Sequence, residues 1–209
     1  GTFNLHASLL PDYRGAAPIN WAIINGETIT GVTTFLIDEQ IDTGAILLRK
    51  EVAITQRETA GTLHDKLMVV GADLVVDTLA LIASDKAVPQ PQPQPIVDKA
   101  APKIHKETAH IPWEKSLAEI DRFVRGMAPY PTAWAELHHE GEMYAVKIYE
   151  ATPQEATHTL PIGSVRVQDR HIEVAVQGGF LRIESLQFPS KKRMSGREFL
   201  NGFHFAEGD

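Results

Sequence analysis

Between Val88 and Pro95 the chain alternates proline with glutamine: Pro89-Gln90-Pro91-Gln92-Pro93-Gln94-Pro95. Each proline fixes φ and removes a backbone donor, so neither a helix nor a central strand can run through the stretch. Any fold must be assembled from what lies on either side. Such a stretch favours polyproline II, an extended and fairly stiff spacer. It predicts one domain over residues 1–87, a linker over 88–102, and a second domain over 103–209.

The pattern changes across that boundary. Before it, residues 2–6 read as a strand. Residues 18–24 read as a short helix, with Pro18 suited to its first turn and Asn25-Gly26 to its end. Residues 30–37 are β-rich and apolar on both faces, as in a strand buried on both sides. Thr59 is placed to cap a long helix reaching Ser84, on which Leu63, Leu67, Val70, Leu74 and Ile82 follow helical spacing. This alternation predicts an α/β domain, part of a Rossmann-like sheet.

After the boundary, Ser116-x-x-Glu119 is a capping box, and Leu117, Ile120, Phe123 and Val124 form the apolar stripe of the helix it opens. Pro129-Tyr130-Pro131 ends that helix. Five strands follow, at 133–137, 143–149, 164–167, 171–176 and 180–186, divided by turns at Glu140-Gly141, Asp169-Arg170 and Gly178-Gly179. They predict a small OB-like β-barrel.

With 43% hydrophobic residues the 209-residue chain can fill two packed cores, and it contains no cysteine, which excludes disulfides and thiolate metal sites. No apolar run approaches the length of a membrane span. The net charge of −7 argues against indiscriminate affinity for nucleic acid. Residues 1–100 hold 7 basic and 12 acidic side chains, a net of −5; residues 101–209 hold 13 and 15, a net of −2. Contact with RNA would therefore depend on local clusters such as Lys191-Lys192-Arg193, with Lys99, Lys103 and Lys106 as a looser second group. His138 and His139 are strand neighbours pointing to opposite faces, and His105 and His110 have no partner at ligand spacing, so no metal is implied.

The chemistry gathers near residue 1. Asn4 and His6 stand two apart, so on a strand their side chains share a face, and Pro11 stops that strand. An amide and an imidazole so placed can stabilise an oxyanion and move a proton, as chemistry on a carbonyl requires. Asp42 reads locally either as a turn residue before Thr43-Gly44 or as the carboxylate that orients and charge-stabilises His6.

The motif Asn4-x-His6-x-Ser8-Leu9-Leu10-Pro11, the stretch Tyr13-Arg14-Gly15-Ala16-Ala17-Pro18-Ile19, and Asp38-Glu39-Gln40-Ile41-Asp42-Thr43-Gly44 together resemble the folate-dependent formyltransferases. Leu186-Gln187 and Lys191 to Met194 extend the likeness almost end to end, and the version of the motifs is that of the members acting on tRNA. The resemblance implies catalysis by Asn4, His6 and Asp42, with the wall of a folate site at Ser8, Leu9, Leu10 and Pro11. It implies tRNA contacts at Arg14, Lys103, Lys106, Lys191, Lys192 and Arg193. The implied cosubstrate is 10-formyltetrahydrofolate, and the implied partner is methionyl-initiator-tRNA, met by a monomer in a bacterial cytoplasm or an organellar translation compartment, without a membrane partner. In this family βα units precede the Asn-x-His strand, so the resemblance also implies a catalytic domain that begins upstream of residue 1. The same triad would serve a formyltransferase acting on a sugar-nucleotide amine or a purine precursor, or a formyl-folate hydrolase. A non-catalytic tRNA-binding module is a further alternative.

Overall fold

The computed structural model describes residues 1–206, in two compact units, one over Gly1–Ile104 and one from His105 onward.

In the first unit β1 (Phe3–His6) leads through the two-residue β2 (Arg14–Gly15) into α1 (Pro18–Ile24). Strands β3 (Ile29–Leu36) and β4 (Ile46–Ala53) and the long helix α2 (Ala60–Ala83) follow. Thr59 caps α2 through a reciprocal box with Thr62, as its position predicts. Leu63, Leu67 and Leu74 of α2 close a core with Ile23, Val32 and Val52. Gly71 lets the helix approach the sheet, since a Cβ there would stand 2.7 Å from the Leu5 side chain.

The sheet runs β1-β3-β4 and is antiparallel throughout. The expected α/β domain is present, and the three-stranded sheet described in it is antiparallel and backed by α2. β4 is an addition to the expected elements. A short parallel strand pair joins β2 to β5 (Ala100–Ala101).

That last pairing also changes the picture of the proline-rich stretch. Residues 88–102 were expected to stand free as a spacer, but they lie along the first unit. Gln90 pairs with Ile46 through both backbone groups, at 2.7 and 2.8 Å. β4 is an edge strand, and an edge tolerates proline; the donors that Pro89 and Pro91 lack limit the pairing to Gln90.

In the second unit a 3₁₀ turn (Glu107–Ala109) precedes α3 (Leu117–Met127), which carries the expected Ser116–Glu119 capping box. Strands β6 (Ala133–His139), β7 (Glu142–Glu155), β8 (Val165–Gln168), β9 (His171–Val176) and β10 (Gly179–Gln187) form an antiparallel sheet in the order β6-β7-β10-β9-β8. β11 (Met194–Ser195) adds to β10 and leads into the short α4 (Gly196–Phe199). Two hairpins turn on left-handed pairs, Glu140-Gly141 (φ +50° and +83°) and Asp169-Arg170 (φ +51° and +60°), the backbone that matches strand twist. The expected barrel is, among the described residues, an open sheet: β6 and β8 lie at its two ends and are not paired with each other.

Candidate active site

His6 ends β1, and Asn4 precedes it by two residues; pairing with β3 sets both, with Asn4 opposite Phe35 and His6 opposite Thr33. The His6 ring is buried and lies edge-on to the Phe35 ring. Its Nε2 is 2.8 Å from the main-chain oxygen of Tyr13. A carbonyl can only accept, so in the neutral ring Nε2 carries the hydrogen and Nδ1 holds the lone pair. Nδ1 faces Asp42 Oδ2 at 3.7 Å, an ion-pair distance too long for a hydrogen bond. The Tyr13 carbonyl therefore orients the ring and Asp42 supplies charge, two tasks that the sequence alone assigns to Asp42.

Asp42 sits in the loop between β3 and β4 with φ at +55°, in the left-handed region. Its Oδ2 accepts the Gly15 N–H at 2.9 Å. Its main-chain oxygen accepts Arg14 Nε at 3.1 Å and Gln92 Nε2 at 2.8 Å, and Gln92 Nε2 also reaches the Gly44 carbonyl at 2.9 Å. Gly44 returns the loop against β3, where a Cβ would stand 1.6 Å from the Leu36 oxygen. Asn4 is exposed; its Oδ1 accepts the Leu5 N–H at 2.9 Å, and its NH₂ is the donor available to an oxyanion.

The expected folate wall divides. Ser8 and Leu10 are fully buried. The Ser8 hydroxyl donates to the Asp12 carbonyl at 2.6 Å, and Leu10 packs with Phe35 and Ile46. The Leu10 N–H donates to the Thr33 hydroxyl at 3.2 Å. Leu9 and Pro11 are half-buried and present surface.

Beside the pair, Tyr13 OH donates to Glu27 at 2.7 Å and Lys99 Nζ reaches Glu27 at 2.6 Å. Burial, then the hydrogen bond to Glu27, push the Tyr13 hydroxyl above its ordinary pKa. Burial opposes the Glu27 charge, yet the bonds from Lys99 and Tyr13 outweigh it and hold that carboxyl below the usual range. Lys99 is committed here.

The expected tRNA contacts differ among themselves. Lys191 and Lys192 are exposed, as are Lys103 and Lys106, although the Lys106 ammonium lies 5.3 Å from the centre of the Trp134 ring. Arg193 is engaged by Ser185 Oγ at 2.7 Å and by Glu150, and stacks on Tyr149. The Arg14 guanidinium is held by Gln92 Oε1 and the Asp42 carbonyl, inside the site, where it is spent on positioning. Neither Tyr13 nor Gln92 stands out in the sequence as a partner of the triad. Tyr13 contributes only a backbone atom to His6, and Gln92 looks like its neighbours Gln90 and Gln94. Among the described residues no group of three or more His, Cys, Asp or Glu is gathered as a metal would need.

Comparison with known proteins follows the same two units. The family model "Formyl transferase" matches residues 1–79, and "Formyl transferase, C-terminal domain" matches residues 103–204. A methionyl-tRNA formyltransferase of Flavobacterium psychrophilum is 50% identical over 207 residues, covering 99% of this chain and 66% of that protein. One from Parabacteroides distasonis is 51% identical over 209 residues, covering 97% of this chain and 64% of that protein. The chain thus spans just under two thirds of the curated relatives it matches. The crystal structure of HypX from Aquifex aeolicus in complex with tetrahydrofolic acid aligns over 95% of this chain and 34% of that one, with a TM-score of 0.72 and 21% identity, a likeness of fold alone. Matched in both units by the two family models and across nearly its whole length by these relatives, the chain belongs to the formyl transferase family.

Proposed function

We propose that the chain transfers the formyl group of 10-formyltetrahydrofolate to the amino group of methionyl-initiator-tRNA, the step that prepares that tRNA for translation initiation. The observation that carries this reading is the pair formed by the buried His6 and the half-buried Asp42 at 3.7 Å, with Nδ1 as its open nitrogen. The amine attacks the formyl carbon, a C–N bond forms, and the carbonyl electron pair moves onto oxygen. The NH₂ of Asn4, on the same strand face, donates to that oxyanion. His6 Nδ1 takes the proton released by the amine, and the imidazolium so formed stands beside the Asp42 carboxylate. Collapse of the adduct expels the folate nitrogen, which receives the proton back from His6.

Relatives at 50% identity and above are named for methionyl-tRNA, which supports that substrate. In this reading residues 1–87 serve the chemistry, 88–102 connect, and 103–209 form a partly open OB-like domain for tRNA. Lys191 and Lys192 meet phosphates, with Lys103 and Lys106 as secondary contacts. Leu9 and Pro11 line the folate, shaped from behind by Ser8 and Leu10. The enzyme works as a monomer in the cytoplasm.

The test incubates the complete gene product with formyl-labelled 10-formyltetrahydrofolate and, in parallel, charged initiator tRNA or an amino-sugar nucleotide. Label on the tRNA alone is expected. Label on the nucleotide alone would overturn the substrate, and label on neither, with tRNA still bound, would leave a binding module.

A further inference from the structure

We propose that Gln92 is a positioning residue for catalysis, and that the proline–glutamine segment serves the active site through it. The proposal rests on the formyl-transfer reading above. Of the eight residues 88–95, six are exposed and Gln92 and Pro95 are half-buried. The backbone pairing of the segment ends at Gln90, because Pro91 and Pro93 have no N–H to continue it. Two residues on, the side chain of Gln92 takes over. Its NH₂ donates to the carbonyls of Asp42 and Gly44, at 2.8 and 2.9 Å. Its Oε1 accepts from Arg14 Nε at 3.1 Å and Nη2 at 2.5 Å. Arg14 Nε in turn donates to the Asp42 carbonyl at 3.1 Å. One amide thus ties the loop that carries Asp42 to the strand that holds Arg14 and Gly15.

Asp42 needs such a tie. Its backbone is left-handed at φ +55°, a conformation uncommon outside glycine that Asp adopts more readily than most residues. Its carboxylate stands 3.7 Å from His6 Nδ1, so the loop that carries Asp42 sets how closely its charge faces the ring. Apart from its own loop, the bonds that fix Asp42 come from Gly15, Arg14 and Gln92. Gln92 is the one that bonds to Asp42, Gly44 and Arg14 together, through a single planar group with both donor and acceptor ends.

Two substitutions in the complete gene product separate this role from plain packing. Gln92→Glu keeps the shape and the acceptor for Arg14, but replaces the donor with an oxygen facing two carbonyls. Gln90→Ala removes a neighbouring glutamine whose side chain reaches only Val88 at 3.4 Å. Gln92→Glu should lower kcat about tenfold or more, since small misplacements of a catalytic group cost up to about a hundredfold. The KM values for formyl-folate and tRNA should stay within about twofold, and Gln90→Ala should match the wild type. In an Asp42→Asn background Gln92→Glu should cost almost nothing further, because it acts through Asp42. Should Gln92→Glu not fold, Gln92→Met, which keeps the volume and drops the polar contacts, is read in its place with the same expectations. Wild-type kcat in Gln92→Glu, or a full loss that persists in the Asp42→Asn background, would overturn the proposal. Wild-type turnover in Asp42→Asn alone would instead overturn the reading of the site on which it rests.

Discussion

At the scale of single residues, a histidine whose Nε2 is committed to a main-chain carbonyl has one nitrogen left for proton transfer, and in His6 that nitrogen faces Asp42. His6→Ala should therefore lower kcat by at least about a hundredfold, the lower end of what a placed acid–base group supplies. Asp42→Asn should be comparably severe, and the double variant should cost far less than the product of the two. Multiplicative losses in steady-state kinetics would show that Asp42 works independently of His6. Asn4→Asp should also be severe, because a donor becomes an acceptor bearing the charge of the oxyanion. The basic run divides differently from its sequence. Lys191→Ala with Lys192→Ala should weaken tRNA binding and flatten its salt dependence, by roughly one unit of slope for each phosphate no longer neutralised. Arg193→Ala should instead lower thermal stability, because its guanidinium is bonded to Ser185 and Glu150. An unchanged salt slope in the double lysine variant would mark those two side chains as solvated surface only.

Among the elements, β8, β9 and β10 bring Arg166, Glu173 and Arg182 into register across three strands on one face. Glu173 is 4% exposed and is bound by Arg166 at 2.7 Å and Arg182 at 2.9 Å. Glu173→Gln should cost about 3 kcal/mol in urea unfolding, the low end for opening a buried ion pair, because both arginines keep about a third of their surface in water. A loss below about 1 kcal/mol would show the triad to behave as a surface pair. Most of the longer strands were legible from alternation and turn residues, β4 being the exception, and Thr59 and Ser116 cap their helices where their positions place them. Strand direction was not legible. An α/β alternation leaves it open, and β1 and β3 pair antiparallel across α1, a choice made by the register of residues about thirty apart.

For the whole molecule, acid is the informative variable. Burial works against the charges of Glu27, Glu58 and Glu173, but hydrogen bonds from Lys99, Lys66 and the two arginines prevail and depress all three from an ordinary value of 4.5. A depressed carboxylate contributes stability that is present above its unfolded pKa and lost as pH falls through its folded one. The melting temperature should accordingly be flat down to about pH 5 and fall steeply below it, and Glu173→Gln should make the fall shallower. A melting temperature that held constant to about pH 3 would contradict these pairings.

What the sequence by itself determined lies close together along the chain: the helices with their caps, the hairpin turns, and the shared strand face of Asn4 and His6. The helices, turns and strand face each depend on neighbours within a few positions, where side-chain spacing and backbone chemistry act directly. Tertiary structure decided the rest. It set the antiparallel register of the first sheet, buried Ser8 and Leu10 behind the site, bonded Arg14, Lys99 and Arg193 to neighbouring side chains and carbonyls, and laid the proline–glutamine stretch against the first unit. Gln92 meets Asp42 across fifty positions of sequence, and nothing local separates it from Gln90 or Gln94. Such contacts are set by which edges and loops the packed core brings within hydrogen-bond reach, and the core is a property of the whole fold.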